Sequence, residues 1–124
     1  MPPSSEAPYS RAVRAGEHAW TSGAVGLDNE GHVVGSDTYT QARVAFAGAV
    51  AALADVGMLV SDVVQVRVYL TPESDWAGAA RAYKETFGEV RPAATMVRVH
   101  SLALPELLIE VEARAAAAES RSRA

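Results

Sequence analysis

Val63-Val64-Gln65-Val66-Arg67-Val68-Tyr69-Leu70 is an eight-residue run rich in β-branched and aromatic side chains, and Pro72 closes it. Its alternation predicts a strand with Val64, Val66, Val68 and Leu70 on one face and Gln65, Arg67 and Tyr69 on the other. Immediately after it, Ser74 or Asp75 is placed to cap a helix running to Phe87, with Gly88 as its stop. Thr95 to His100 and Leu107 to Ala113 then read as two strands joined by a loop containing Pro105. Their alternation adds Thr95, Val97, Val99, Leu107, Ile109 and Val111 to the apolar face. Met96, Arg98, His100, Leu108, Glu110 and Glu112 join the other.

Towards the N-terminus, Ser36, Asp37 or Thr38 can cap a helix ending at Val56, with Gly57 as its C-terminal stop. Ala42, Phe46, Ala49, Leu53 and Val56 share one of its faces. The opposite face carries no charge between Arg43 and Asp55, so this helix is either deeply covered or packs closely through small residues. Ser10 to Ala15 and Glu17 to Ser22 are short strands separated by Gly16. Asp28-Asn29-Glu30-Gly31 is turn chemistry, and Val33-Val34 resumes an extended run. The order ββ(β)αβαββ predicts an α+β, two-layer fold: a single mixed sheet with both helices on one face. The opposite sheet face mixes charges with large apolar groups, a pattern suited to a subunit interface or a wet cavity between subunits.

The 124 residues are read as one domain, residues 1–124, with flexible ends at 1–8 and 114–124; the Ala-rich C-terminal end reads alternatively as a short helix. Alanine supplies 25 residues and aromatics only 6% of the chain, so the core is short of large side chains and oligomerisation is the expected supplement. The absence of cysteine excludes disulfides, thiolate catalysis and Cys-based metal sites. His18, His32 and His100 show no ligand spacing, so no metal is expected. A net charge of −4, with ten arginines spread along the chain, gives no nucleic-acid footprint. No apolar run approaches the ~18–20 residues of a membrane span, and Met1-Pro2-Pro3-Ser4-Ser5-Glu6 lacks a secretory pattern. A cytoplasmic location without membrane association is the expectation.

Pro8-Tyr9-Ser10, Ala12-Val13, Gly16 and Thr21-Ser22-Gly23 resemble the opening of the Rid family, also called the YjgF or UK114 family. Gln41-Ala42, Gly57, Asp62-Val63-Val64, Val68-Tyr69-Leu70, Tyr83 and Phe87 continue the resemblance. Arg91-Pro92-Ala93-Ala94-Thr95 and Ile109-Glu110-Val111-Glu112-Ala113 close it, so that it covers Pro8 to Ala113. The resemblance implies a chorismate-mutase-like fold, a homotrimer with pockets between subunits, and cofactor-independent hydrolysis of small imines and enamines to a keto acid and ammonia. It also implies catalytic roles for Glu110, as the carboxylate that positions water, and Tyr9, with Ser22 and Gly23 contacting substrate.

The family's pocket arginine is missing: its Pro-Ala-Arg is Pro92-Ala93-Ala94 here. Family asparagines are replaced by Ala80 and Gly48, and a glutamine by Ala24. Alanine supplies neither charge nor donors for a carboxylate clamp. Arg98, sharing a predicted face with Ala94 and Met96, is a candidate replacement cation, as are Arg91 and Arg67; each also reads as a structural residue. Glu110 reads either as general base or as the ion-pair partner of Arg98 across a hairpin. Tyr9 reads as a substrate contact or as packing, and Trp20 as a pocket wall or as interface packing. Ser22 has no activating base in sequence and reads as a hydrogen-bonding group rather than a nucleophile.

The resulting expectation is a divergent Rid-type hydrolase, deaminase or pathway-specific tailoring enzyme acting on a small imine or enamine. The substrate need not carry an α-carboxylate. A conventional imino-acid deaminase with a relocated arginine and a non-catalytic ligand-binding trimer are the alternatives. The endoribonuclease label carried by some members gets no support from this acidic chain.

Overall fold

The computed structural model describes residues 7–118. Six strands and two helices follow the predicted order: β1 (Ala12–Ala15), β2 (His18–Thr21), β3 (Ala24–Val25), α1 (Thr38–Asp55), β4 (Val63–Leu70), α2 (Trp76–Phe87), β5 (Ala93–Arg98) and β6 (Ile109–Ala116). They form one mixed sheet in the order β1-β2-β6-β4-β5, with β3 also paired to β6. Only β4 and β5 are parallel, and α2 supplies the crossover that a parallel pair requires. Both helices pack on this sheet, giving a two-layer α+β architecture.

The helices start where short acidic side chains satisfy open backbone N–H groups. Asp37 accepts from Thr40, and Asp75 from Ala77 and Gly78. The core beneath them combines alanines with an aromatic knot: the Phe46 ring meets Phe87 edge-on at 5.6 Å and Tyr83 at 6.0 Å. Small side chains at Ala42, Ala45 and Ala49 are fully or almost fully buried. The remainder of α1 is not covered: Ala47, Gly48, Ala51 and Ala54 are exposed.

Gln41 is completely buried at the start of α1. Its Oε1 accepts from the Leu108 N–H at 2.8 Å, and its Nε2 donates to Glu106 O at 3.1 Å and Gly35 O at 3.4 Å. The Gly26 backbone lies so close that an added Cβ would stand 2.8 Å from Gln41 Cβ. One amide thus joins α1, the segment leading out of β3 and the residues that feed β6.

Several local expectations are corrected. The last two strands form no hairpin: β4 lies between β5 and β6, so Arg98 stands beside Leu70 and Glu110 beside Tyr69. The faces of β5 are also reversed. Ala94, Met96 and Arg98 align with the buried Val66, Val68 and Leu70, while Thr95 and Val97 align with Arg67 and Tyr69 on the open face. Arg98 donates to Thr71 O, Ser74 O and Ser74 Oγ, securing the turn before α2. In β4 the register slips between Val63 and Gln65; this bulge brings Val63 into the core and leaves Val64 45% exposed.

Gly88 does not stop α2 with a left-handed residue, for its φ is −59°; the reversal falls on Arg91, at φ 55°. Val33-Val34 forms no strand of its own, and Val33 makes a lone bridge to Leu27. Residues Arg114 to Ala116, expected to fray or turn helical, continue β6 because they pair with His18, Ala19 and Trp20 of β2. The other terminal expectations fall mainly on residues 1–6 and 119–124, outside the described residues. Among the described residues no helix is long and apolar enough to cross a membrane.

Replacing Gln41 by Leu removes the side-chain partner of the Leu108 N–H and of the Glu106 and Gly35 carbonyls. A loss of about 2–4 kcal/mol is expected in urea unfolding; an unchanged midpoint would show that the amide carries no stability. Backbone donation by Thr40 holds the Asp37 carboxyl below its ordinary 3.8. A depressed carboxyl adds stability that is present above that ordinary value and lost as pH falls through the folded one. Asp37→Ala is therefore expected to lower the thermal midpoint near neutral pH, with the gap to wild type closing as the Asp37 carboxyl takes up its proton in acid.

Candidate functional site

Glu110 is the second residue of β6 and projects from the face away from the helices, since its neighbours Ile109 and Val111 are buried. Opposite it, the edge formed by β2 and β3 breaks at Ser22-Gly23. The Thr21 hydroxyl fills part of this break by accepting from the Ala113 N–H at 2.9 Å. Gly23 presents bare backbone to the Glu110 carboxylate: a Cβ there would lie 2.5 Å from Oε2 and 2.8 Å from Cδ. No larger residue fits without displacing the acid.

Ser22 fixes the chain that enters β1. Its N–H donates to Arg11 O at 2.8 Å and its hydroxyl to Ser10 O at 2.6 Å. The hydroxyl proton is thereby committed, which fits positioning and not nucleophilic attack. The anchored segment delivers Tyr9, whose hydroxyl is buried and makes no hydrogen bond to the described residues. Burial raises the Tyr9 pKa; Arg11 opposes that shift and Glu110 adds to it. The phenol consequently keeps its proton to higher pH than an ordinary tyrosine and remains a donor.

Two clefts meet at this point. One, of about 630 Å³, is lined by Pro8, Tyr9, Ser22, Gly23, Leu102 and Glu110, among others. The second, of about 480 Å³, has Tyr9, Arg11, Ser22 and Gly23 on one side and Ala47, Gly48 and Ala51 of α1 on the other. Tyr9, Ser22 and Gly23 form the wall common to both. The uncharged face of α1 is therefore one side of an open cleft.

Tyr9, Ser22, Gly23 and Glu110 are thus gathered by a single chain, and the other expected residues are not. Trp20 belongs to a separate hollow of about 190 Å³ with Gln65, Arg67, Glu112 and Arg114; the Arg114 guanidinium lies 5.5 Å from its ring centre. Ala94, Met96 and Arg98 occupy the other face of the sheet. Of the candidate cations, Arg98 is spent on the turn before α2, and Arg67 stands 3.7 Å from Glu112. Tyr69 donates to Glu112 at 2.5 Å, and this bond is the main reason its pKa is raised. Arg11 escaped the sequence reading. The signal was there: it lies two residues from Tyr9, the spacing that puts two side chains of an extended segment on one face. Among the described residues no group of three His, Asp or Glu side chains is arranged to hold a metal ion.

Fold and cleft together define an α+β protein of the chorismate-mutase-like class. The family model described as Endoribonuclease L-PSP matches residues 2–117. RutC family protein PH0854 of Pyrococcus horikoshii is 36% identical over 107 residues, covering 86% of this chain and 84% of that protein. The 3-aminoacrylate deaminase RutC of Acinetobacter baylyi is 32% identical over 106 residues, 85% of this chain and 83% of its own. Among solved structures, Rv2704 of Mycobacterium tuberculosis, a YjgF/YER057c/UK114 family member, is 37% identical with a TM-score of 0.78. That match covers 87% of this chain and 86% of the other. Escherichia coli TdcF with bound serine is 28% identical with a TM-score of 0.82, covering 94% and 93%. The chain belongs to the Rid (YjgF/YER057c/UK114) family.

Gly23→Ala is expected to cost about 1–3 kcal/mol through overpacking against Glu110. Most of that cost should vanish when Glu110 is also replaced by Ala, a coupling read from a double-mutant cycle of urea midpoints. Strictly additive effects would show that the two residues do not press on each other.

Proposed function

We propose that this chain hydrolyses a small imine, or an enamine through its imine tautomer, in the cleft floored by Glu110. The observation that carries this reading is the acid's placement: its carboxylate is set against bare Gly23 backbone, in a cleft shared with the buried Tyr9 hydroxyl. Glu110 takes a proton from water as the water oxygen bonds to the imine carbon, and the C=N pair moves to nitrogen. The proton then passes to the amine of the tetrahedral intermediate. The carbinol proton follows the same route, from oxygen through the Glu110 carboxylate to nitrogen, so that the C–N bond breaks with ammonia as the leaving group and the carbinol carbon becomes the ketone. Tyr9 donates to the substrate, and Ser22 holds Tyr9 in place.

The deaminase name of the Acinetobacter relative supports this class of reaction. The reading includes a cytoplasmic homotrimer with the Glu110 cleft at a subunit boundary. Supporting it, Trp20, Val64 and Val97 are each at least 41% exposed, a large apolar content for surface strands. A second reading, a trimer that binds a small ligand without turning it over, is favoured by one observation: an alanine stands at position 94, where the family arginine is expected.

Steady-state hydrolysis of 2-aminoacrylate, generated in the assay, separates the two. Glu110→Gln should lower kcat by about 10²–10⁴-fold with little change in thermal midpoint. Turnover equal to wild type would remove Glu110 as the base, and a wild type without turnover on any small imine would favour the binding reading.

A further inference from the structure

The hollow around Trp20 lies apart from the Glu110 cleft and has no part in the reaction proposed above. The strand ladder assembles it. On the open face of the sheet, Arg114 of β6 stands between Trp20 of β2 and Gln65 of β4, and two residues earlier on β6 Glu112 stands beside Arg67 of β4. Arg67 and Arg114 are thus diagonal neighbours on paired strands, about 7–8 Å apart at the backbone. Arg114 is four residues past Glu110, about 13 Å further along the strand.

The donors around this hollow are largely uncommitted. Arg114 makes no hydrogen bond or ion pair with the described residues; its guanidinium rests 5.5 Å from the Trp20 ring centre, a contact that leaves its N–H groups free. The Gln65 amide also has no hydrogen-bond partner among the described residues. Arg67 stands 3.7 Å from Glu112 Oε1, outside hydrogen-bonding reach. Glu112 is the one acid in the lining, and the same oxygen already accepts from the Tyr69 hydroxyl. One carboxylate therefore faces two guanidiniums, and the hollow keeps an excess of positive charge. Its volume, about 190 Å³, suits a small anion.

We propose that this hollow is a binding site for a small oxoanion of the phosphate class, held between the Arg67 and Arg114 guanidiniums with the Gln65 amide as third donor and the Trp20 ring as apolar wall. Charge-assisted bonds from guanidinium to oxoanion are among the strongest of side-chain hydrogen bonds. Both arginines stand on paired strands, so binding has only side chains to order. A carboxylate side chain of a second copy carries related chemistry, and Trp20 belongs to the surface proposed above for subunit contact. The experiment separates that source from a free anion.

Calorimetric titration with inorganic phosphate, at ionic strength held constant with chloride, should give saturable binding at one site per chain. Arg114→Gln and Arg67→Gln should each weaken it by about 10–100-fold, with Arg114→Lys restoring part of the loss. Arg43→Gln, on the helical layer, should bind as wild type does. Thermal unfolding without phosphate checks that each variant is folded. No saturable binding by wild type, equal binding by Arg114→Gln, or the same loss in Arg43→Gln overturns the proposal. So does a wild type that ignores phosphate while Arg114→Gln lowers its sedimentation coefficient, for the donors would then serve a second copy. No readout requires turnover, so the result stands whatever becomes of the imine-hydrolase reading.

Discussion

A primary amide buried away from water must have its donors and acceptor paired, and Gln41 meets that demand by joining three parts of the chain. It accepts from Leu108 and donates to Glu106 and Gly35, while Gly26 approaches close enough to exclude any side chain. Glu110 follows Leu108 by two residues. The bond that starts β6 at the right height therefore also sets the height of the acid, and the same amide fixes the first turn of α1, whose later turns wall the second cleft. Stability and site geometry share one interaction.

Around that bond the molecule is built from close approaches. Alanines at 42, 45 and 49 let α1 sit low on the sheet, and the larger volume is concentrated in Phe46, Tyr83 and Phe87. At the cleft the same economy appears as glycine. Gly23 admits the Glu110 carboxylate against the backbone in a way no side chain would permit. A core of small side chains brings elements near enough for single atoms to matter at the site.

Element order and type were legible because hydrophobic periodicity and caps agree along most of the chain; Asp37, Asp75 and Gly57 mark the helix ends they were expected to mark. Facing was less legible. Val63 and Val64 are both β-branched, so nothing local announces the bulge between them. Thr95, Val97 and Val99 look like core residues, yet pairing with β4 turns Thr95 and Val97 to the open face. Arg114-Ala115-Ala116 has helix-forming composition, and pairing with β2 overrides it. At the site, Tyr9, Ser22, Gly23 and Glu110 were found through a family resemblance. Arg11 was passed over because a single basic residue carries no motif, and only the folded cleft shows that its charge is unspent.

The hold of Ser22 on residues 10 and 11 has a consequence for motion. Tyr9 and Arg11 ride on a segment ahead of β1, tied to the sheet through Ser22 and not through the ladder of paired strands. Such a segment opens at a lower free energy than the sheet itself. Hydrogen exchange at residues 9–11 would then run faster than in β4 or β6. A ligand that grips the segment would be reported there first, as slowed exchange in a strap whose opening leaves the rest of the fold intact.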